Sequence, residues 1–442
     1  MSSLNLVGNN NISNIKQNQK IGLYVGSFDP FHYGHLEIIE ICLQYKYVDN
    51  IFIIANNPNK NKPNRSKLIN RINIIYLMTK DSQYSDHIFI PTNFVDDLIT
   101  MFKDYPTIGI MGSDQYLHLV NNNKSTKLSV NKWLIIPRDN YCINTVINSI
   151  FQILDKSLFK HQSYSSTMIR ENIGVDNKYL PLNISSFNYI IDNKMWVIEN
   201  KIKLLVNSAN LSVTEIKNNV LLVNNTYIVK IFNIKQEYEN EINSYQLITS
   251  IGLPIKTAKL ITSSKVVIYY LIIYEYMGSD LIKTLTQVDS YQVGSEIGKS
   301  LSKLHNYQKV LISPNELINH PKINKLAISI DQIKDQCKCC FVHGDMSLLN
   351  IIYNNEIIMI DIGGIYKNVR YIKDELRPFG LAEYEYYQFI SSVNWLIKDT
   401  EIANQLINGF KDGYGITNFN IYLEEVCKNY WFTFLYKKQL SQ

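Results

Sequence analysis

The chain has 442 residues, of which 46% are hydrophobic and 19% charged, with a formal net charge of +5. That length suits two or three ordinary domains, and the composition excludes an intrinsically disordered chain. A charge this small, spread among many acidic residues, makes no case for nucleic acid as a partner, and six cysteines are too few for a disulfide framework, so a reducing, cytoplasmic setting is expected.

The first twenty residues, "MSSLNLVGNNNISNIKQNQK", are polar and lack the apolar stretch of a secretory signal, so a flexible leader is expected over 1–20. From residue 21 short β-branched runs alternate with helical patterns: "IGLYV", "HLEIIEICLQY", "NIFIIA", then "TIGIM" and "KWLIIP". Such alternation predicts an α/β domain with a parallel sheet, placed over 21–198. A boundary falls in "VIENKIKLLVNSAN", giving a linker at 199–210 and a second domain over 211–442. There "NNVLLVNNTYIVKIF" reads as two strands joined at Asn224 and Asn225. "KVVIYYLIIYEYM" reads as a further strand or hairpin, and is too short to span a bilayer, so no membrane partner is expected. Long helical stretches and one more strand, "EIIMIDI", follow.

Two segments invite a misreading. "CKCC" (Cys337, Cys339, Cys340) suggests zinc, but it has no partner pair at finger spacing and runs into an apolar strand, so core thiols are expected. "GSEIGKS" (294–300) resembles a phosphate-binding Walker A loop, yet Val293 stands where its first glycine belongs. Ile297, Leu301 and Leu304 recur at helical spacing, so a helix interior is the better reading.

The segment "GSFDPFHYGHLEII" (26–39) has a physical reading of its own. A strand ends at Val25, Gly26 permits a close turn, Pro30 stiffens the exit, and a helix begins near Tyr33 or Gly34. A helix N-terminus presents unpaired N–H groups and a positive partial charge, which suits phosphate, and His32, His35 and Ser27 add side-chain donors. In "SYSSTMIRENI" (164–173), the hydroxyls before an apolar-periodic run form an N-cap, and Arg170 lies one turn beyond Ser166 and Thr167. Together these make a second phosphate clamp.

"GSFDPFHYGHLEII" resembles the HxGH signature of the nucleotidyltransferase superfamily. "SKLINRINIIYLM", "NFVDDLITMFKDYP", "IGIMGSDQYLHL", "LIIPRDN", "SSTMIR" and "YLPLNISSFNYIIDN" are similar, in order, to segments of its nicotinate/nicotinamide mononucleotide adenylyltransferase branch. The resemblance covers residues 20–195 and implies a Rossmann-like fold. It implies that His32 and His35 are catalytic and contact the ATP phosphates, that Ser27, Thr167 and Arg170 bind the triphosphate, that Gly26, Phe28 and Ser166 also bind the nucleotide, and that Gly112 and Asp114 hold the nucleoside. Lys62 is a weaker phosphate candidate and Arg71 a structural one. Tyr164 replaces the usual Ile before the hydroxyl triplet, and no tryptophan is assignable to a pyridine ring, which leaves the acceptor open. No general base is needed, because a phosphate monoester has a second pKa near ~6 and is already ionised.

In "CFVHGDMSLLNIIYNNEIIMIDIGG" (340–364), Asp345 in a loop, Asn350 five residues on, and Asp361 at a strand end could orient a hydroxyl and hold Mg2+. This resembles the HGDxxxxN and ID motifs of the aminoglycoside phosphotransferase and choline kinase group, which implies a two-lobed, protein-kinase-like α+β domain; the resemblance covers residues 205–400. It implies that Lys230 binds phosphate, with Glu241 as its helix partner and Glu239 as the competing choice. Asp374 is a weak further candidate, in "YIKDELRPFG".

A kinase makes a phosphate monoester and the first domain would consume one. A bifunctional, ATP- and Mg2+-dependent enzyme is therefore expected, with a small alcohol, ATP and a phosphate monoester as substrates, and nicotinamide riboside to NAD as the leading instance. The alternatives are a choline or ethanolamine kinase joined to a cytidylyltransferase, and a non-catalytic nucleotide sensor. Oligomeric state is open.

Overall fold

The computed structural model describes the chain apart from residues 1–4, 9, 57–64, 93–97, 99, 122–129, 139–142, 144–148, 162, 178–179, 279–280, 318–325, 327–331, 334–336, 373–374, 418 and 441–442, with backbone alone for 372 and 435–440. It divides into two compact units, Met1–Ala209 and Asn210–Gln442.

In the first unit, β1 (Leu6–Val7), β2 (Ile21–Gly26), β3 (Asn50–Ala55), β4 (Ile88–Pro91), β5 (Thr107–Gly112), β6 (Lys132–Ile136) and β7 (Phe151–Ile153) form one sheet in the order β1-β4-β3-β2-β5-β6-β7. All pairs are parallel except β1 with β4. Its central strands are unbroken apolar runs, buried at Ile21, Leu23 and Ile51 to Ile54, because helices cover both faces. Those helices include α1 (Tyr33–Gln44), α2 (Leu68–Thr79), α3 (Ser113–Asn121), α4 (Ser166–Asn172), α5 (Ile184–Asp192) and α6 (Val197–Leu205). Setting β1 aside, this is the doubly wound Rossmann order, which reverses between β2 and β5 and so opens a crevice beyond their C-terminal ends.

Two expectations are corrected. The leader is not a free tether throughout, since Leu6 and Val7 pair with Pro91 and Ile90, and Ile15 is buried. The open edge of β4 offers unpaired N–H and C=O groups that recruit it. The stretch expected to be a linker begins inside α6, where Val197, Ile198 and Ile202 are buried. Apolar residues one turn apart place that face on the core.

The second unit opens with a wholly antiparallel sheet of β8 (Val213–Lys217), β9 (Val220–Val223), β10 (Tyr227–Phe232), β11 (Leu260–Val266) and β12 (Tyr269–Glu275), in the order β11-β12-β10-β9-β8. The β9–β10 turn holds Asn224 and Asn225, both at φ 52°, a conformation asparagine tolerates. Helix α7 (Lys235–Ile251) follows β10. A larger helical lobe comes next, with α8 (Ser290–Tyr307), α9 (Ala382–Leu396), α10 (Thr400–Tyr414) and α11 (Ile421–Leu440). Two antiparallel strand pairs join it, β13 (Lys309–Ile312) with the distant β14 (Cys337–Cys340), and the hairpin of β15 (Ile351–Tyr353) with β16 (Ile357–Met359). A small sheet lobe ahead of a large helical one is the kinase-like α+β arrangement expected of this half.

"GSEIGKS" is the interior of α8. A Cβ at Gly294 or Gly298 would overlap the Leu406 or Phe410 carbonyl of α10, and one at Gly409 or Gly413 the Tyr291 or Ser295 carbonyl of α8. Glycines four apart on both helices thus let two backbones touch, a packing role in place of a phosphate loop. The "CKCC" thiols are buried, and burial pushes Cys337 up to about 11 and Cys340 well above the ordinary thiol value. No group of three or more metal-binding His, Cys, Asp or Glu occurs among the described residues, nor any helix long and apolar enough to cross a membrane.

Candidate active sites

A cavity of about 850 Å³ opens at the β2/β5 reversal, and Gly26, Ser27, Phe28, His32, His35, Gly112, Asp114, Ser166, Thr167 and Arg170 all line it. Three segments far apart in sequence thus meet at one crevice. A Cβ at Gly26 would stand 2.7 Å from the Phe28 ring, so glycine is needed for that ring to fold back over the strand end. Phe28 takes φ 46° and meets Tyr24 and His35 edge-on, each at 5.1 Å between ring centroids.

The two histidines are fixed by backbone. His32 is the N-cap of α1 and its Nδ1 accepts the Gly34 N–H (3.2 Å), while the Nδ1 of His35 accepts the His32 N–H (3.3 Å). Their rings lie 3.8 Å apart. Burial, then the Arg138 guanidinium, pushes His32 down to about 3. Burial, then His32 and Arg138, holds His35 well below the ordinary imidazole value. Both rings are therefore neutral near pH 7. With each Nδ1 accepting, the proton of each lies on Nε2, so the pair offers two N–H donors and no acid.

The second segment supplies the expected hydroxyl N-cap and holds the turn beside the cavity. Ser165 caps α4 by accepting the Met168 N–H at 3.1 Å. The Ser166 hydroxyl donates to the Pro30 carbonyl at 2.8 Å, and Arg170 donates to the Asp29 carbonyl and, at 2.9 Å, to the Thr167 hydroxyl. Ser166 and Arg170 thereby pin the "FDP" turn at the cavity's edge. Arg71, fully buried, donates to the Ser27 carbonyl at 2.7 Å from beneath. Arg138, in "LIIPRDN", carries no signal of its own in the sequence, yet it faces Asp114 at 3.5 Å across the cavity. Tyr164 stacks on His161 with ring centroids 5.1 Å apart. Lys62 lies outside the described residues, as does Asp374.

In the second unit a mainly apolar cavity of about 430 Å³ is lined by Lys230, Glu241 and Asp361, by Ile216 and Lys217 of β8, and by Tyr276, Met277 and Gly278 beyond β12. Lys230 Nζ stands 2.5 Å from both Glu241 Oε1 and Asp361 Oδ1. Glu239 instead pairs with Lys235 at the surface, which decides between the two glutamates. Glu241 also accepts from the Tyr274 hydroxyl (3.1 Å) and the Gly363 N–H (2.9 Å). Burial works to raise the Asp361 carboxyl, but the Lys230 and Lys217 ammoniums outweigh it and hold the group well below the usual carboxylate range.

Asp345 and Asn350 sit on the neighbouring loop. Asn350 donates to Asp345 Oδ2 (3.0 Å) and Gln388 to its Oδ1 (2.8 Å), fixing both carboxylate oxygens. The buried Glu385 accepts the backbone N–H groups of His343 (2.9 Å) and Gly344 (2.6 Å) and the Nε2–H of His305 (3.0 Å), and His305 Nδ1 then accepts from Tyr414 (2.7 Å). A Cβ at Gly344, where φ is +91°, would come within 2.6 Å of the Gly364 backbone, so this loop and the one after Asp361 need glycines where they touch. The Ile360 N–H donates to the Asn350 carbonyl at 2.9 Å, which brings that loop beside Asp361. A carboxylate and an amide oxygen are hard donors suited to Mg2+.

A family model of cytidylyltransferase-like proteins matches residues 23–172. The probable nicotinate-nucleotide adenylyltransferase of Flavobacterium psychrophilum is 30% identical over 186 residues, covering 37% of this chain and 91% of that protein. Its Bacteroides fragilis counterpart is 26% identical over 175 residues, 36% of this chain and 86% of the relative. The ADP-bound structure of the aminoglycoside phosphotransferase APH(2'')-Ib is similar at 12% identity and a TM-score of 0.35, covering 53% of this chain and 85% of that one. Through its N-terminal unit the chain belongs to the nicotinate-nucleotide adenylyltransferase family.

Proposed function

We propose, from that membership and from the geometry of the two sites, that the chain is a bifunctional enzyme. Its second unit phosphorylates a small alcohol, and its first transfers adenylyl from ATP to a phosphate monoester of the nicotinate or nicotinamide mononucleotide kind. In the first step an oxygen of the monoester attacks the α-phosphorus of ATP, the bond to the β-phosphate oxygen breaks, and pyrophosphate leaves. The observation that carries the reading is the pair of neutral Nε2–H donors at the cavity with Arg138 nearby. Such fixed donors favour the charge that develops at phosphorus without reorganising, which is the main source of acceleration when no proton must be abstracted. Ser166 and Arg170 act as positioning residues, and Gly112 and Asp114 would take the nucleoside.

In the second unit the alcohol's oxygen attacks the γ-phosphorus of ATP and ADP leaves, with the alcohol's proton directed to Asp345. Asn350 and Asp361 would hold the magnesium, which supplies charge neutralisation to the phosphates. Lys230, fixed by Glu241, binds a phosphate. The product is a phosphate monoester, the class of nucleophile the first step consumes.

Isotope-labelled ATP with nicotinate or nicotinamide mononucleotide should yield labelled dinucleotide and pyrophosphate, abolished by His35→Ala. ATP with nicotinamide riboside should yield the mononucleotide, abolished by Asp345→Ala. Turnover with CTP and phosphocholine in place of these overturns the first assignment, a reading that the cytidylyltransferase-like match keeps in the screen. Nucleotide binding without any turnover favours a sensor.

A further inference from the structure

Lys217 closes β8 at an irregularity in the ladder, between Glu215 and Lys217, where the register with β9 shifts. Such bulges re-aim side chains. Its Nζ crosses the cavity mouth to Asp361 Oδ2 at 3.0 Å, while Lys230 holds Oδ1 at 2.5 Å. Both oxygens of the carboxylate expected to hold a cation are therefore engaged by ammonium groups, and the cluster of Lys217, Lys230, Glu241 and Asp361 has zero net formal charge.

The two lysines are not equivalent. Lys230 is buried and bound to two carboxylates, so it stays. The Lys217 side chain is 57% exposed. The turn after it contains Asn218 and Asn219 and no glycine, and Asn219 takes φ 63°. Backbone amides carrying Cβ atoms approach phosphates less closely than those of a glycine-rich loop, whereas a lysine on a four-carbon stem can reach. A divalent cation on Asp361 adds two positive charges beside two ammoniums, and the exposed ammonium is the one that yields; the phosphates supply the anion to which it turns.

We propose that Lys217 is a phosphate ligand of the second site that shares Asp361 with the divalent cation, leaving Oδ2 when the cation takes it and turning onto the nucleotide's phosphates. The inference rests on the nucleotide reading of that cavity. The test is amine-reactive footprinting of the full chain, read at Lys217 by mass spectrometry, in buffer, with Mg2+ and with MgADP. Lys217 should react severalfold faster with Mg2+ alone and fall back with MgADP. In parallel, hydrogen exchange of the 274–278 segment reports whether the cavity takes nucleotide. Lys217→Met should raise the MgADP needed for half-protection there about tenfold, the loss of one charge-assisted contact. Protection of that segment with Lys217 reactivity unmoved, or with Lys217→Met matching wild type, overturns the inference alone. No protection in wild type overturns the nucleotide reading and the inference with it.

Discussion

Acidification tests whether the histidine pair is held neutral by its surroundings. An unfolded histidine titrates near ~6.5, whereas His32 in the fold is pushed down to about 3. Below the unfolded value the unfolded chain binds a proton that the native ring refuses. The stability contributed by this site is therefore complete above about pH 6.5 and is lost as the pH falls toward the folded value. Each pH unit in that window removes about 1.4 kcal/mol, so His32 alone should cost about 2 kcal/mol near pH 5. His35 shifts in the same direction and adds to the loss. The assay is urea unfolding of wild type and His32→Asn near pH 7.5 and near pH 5, following the buried Trp133 of the first unit. Asparagine keeps an oxygen that can cap α1, so the variant removes the titration and retains the helix start. The wild type should lose about 2 kcal/mol more than the variant over that interval. A difference below about 0.5 kcal/mol would refute the claim that burial and Arg138 keep the ring uncharged.

Glu385→Gln removes a charge that accepts from the His343 and Gly344 backbone N–H groups, and should destabilise the second unit by about 3 kcal/mol in denaturant unfolding. Gly344→Ala forces a Cβ into the Gly364 backbone at 2.6 Å; purified variant should show a thermal midpoint lowered by several degrees and lose phosphotransfer together. In Gln388→Ala, Asp345 loses one of the groups that fix its carboxylate, so phosphotransfer kcat should fall about tenfold with little change in KM for ATP. Lys230→Met strips the shared cation from Glu241 and Asp361, and should cost about 3 kcal/mol in unfolding assays as well as phosphotransfer.

Much of both candidate sites is legible in the sequence because the residues proposed for phosphate chemistry fall in local patterns. A strand, a glycine turn and a capped helix are written in consecutive residues, so His32, His35 and Gly26 can be found without a fold, and so can Asp345, Asn350 and Asp361. What escapes is what topology alone brings near. Arg138 follows β6 and reaches Asp114 only because β6 lies beside β5. Glu385 and Gln388 sit on α9, some forty positions from the loop they hold. Their one local signal is acidic and amide residues inside the aromatic run "EYEYYQ", on a helix whose burial makes an uncompensated carboxylate costly. Ser166 shows what a local pattern leaves out: a hydroxyl next to a phosphate-like motif also donates to the Pro30 carbonyl, a partner 136 positions away.

The glycines that let α8 and α10 touch fix their separation by backbone thickness, so it is insensitive to which apolar side chains fill the rest of the lobe. Those two helices also carry His305 and Tyr414, which meet at 2.7 Å and present His305 to Glu385. Glu385 in turn sets the backbone of His343 and Gly344, immediately before Asp345. The carboxylate proposed to orient the alcohol is thus referenced, through three hydrogen-bonded steps, to a main-chain dimension. Core substitutions around Leu301 or Leu406 can then alter how well the lobe is filled while the position of Asp345 stays where those glycines put it.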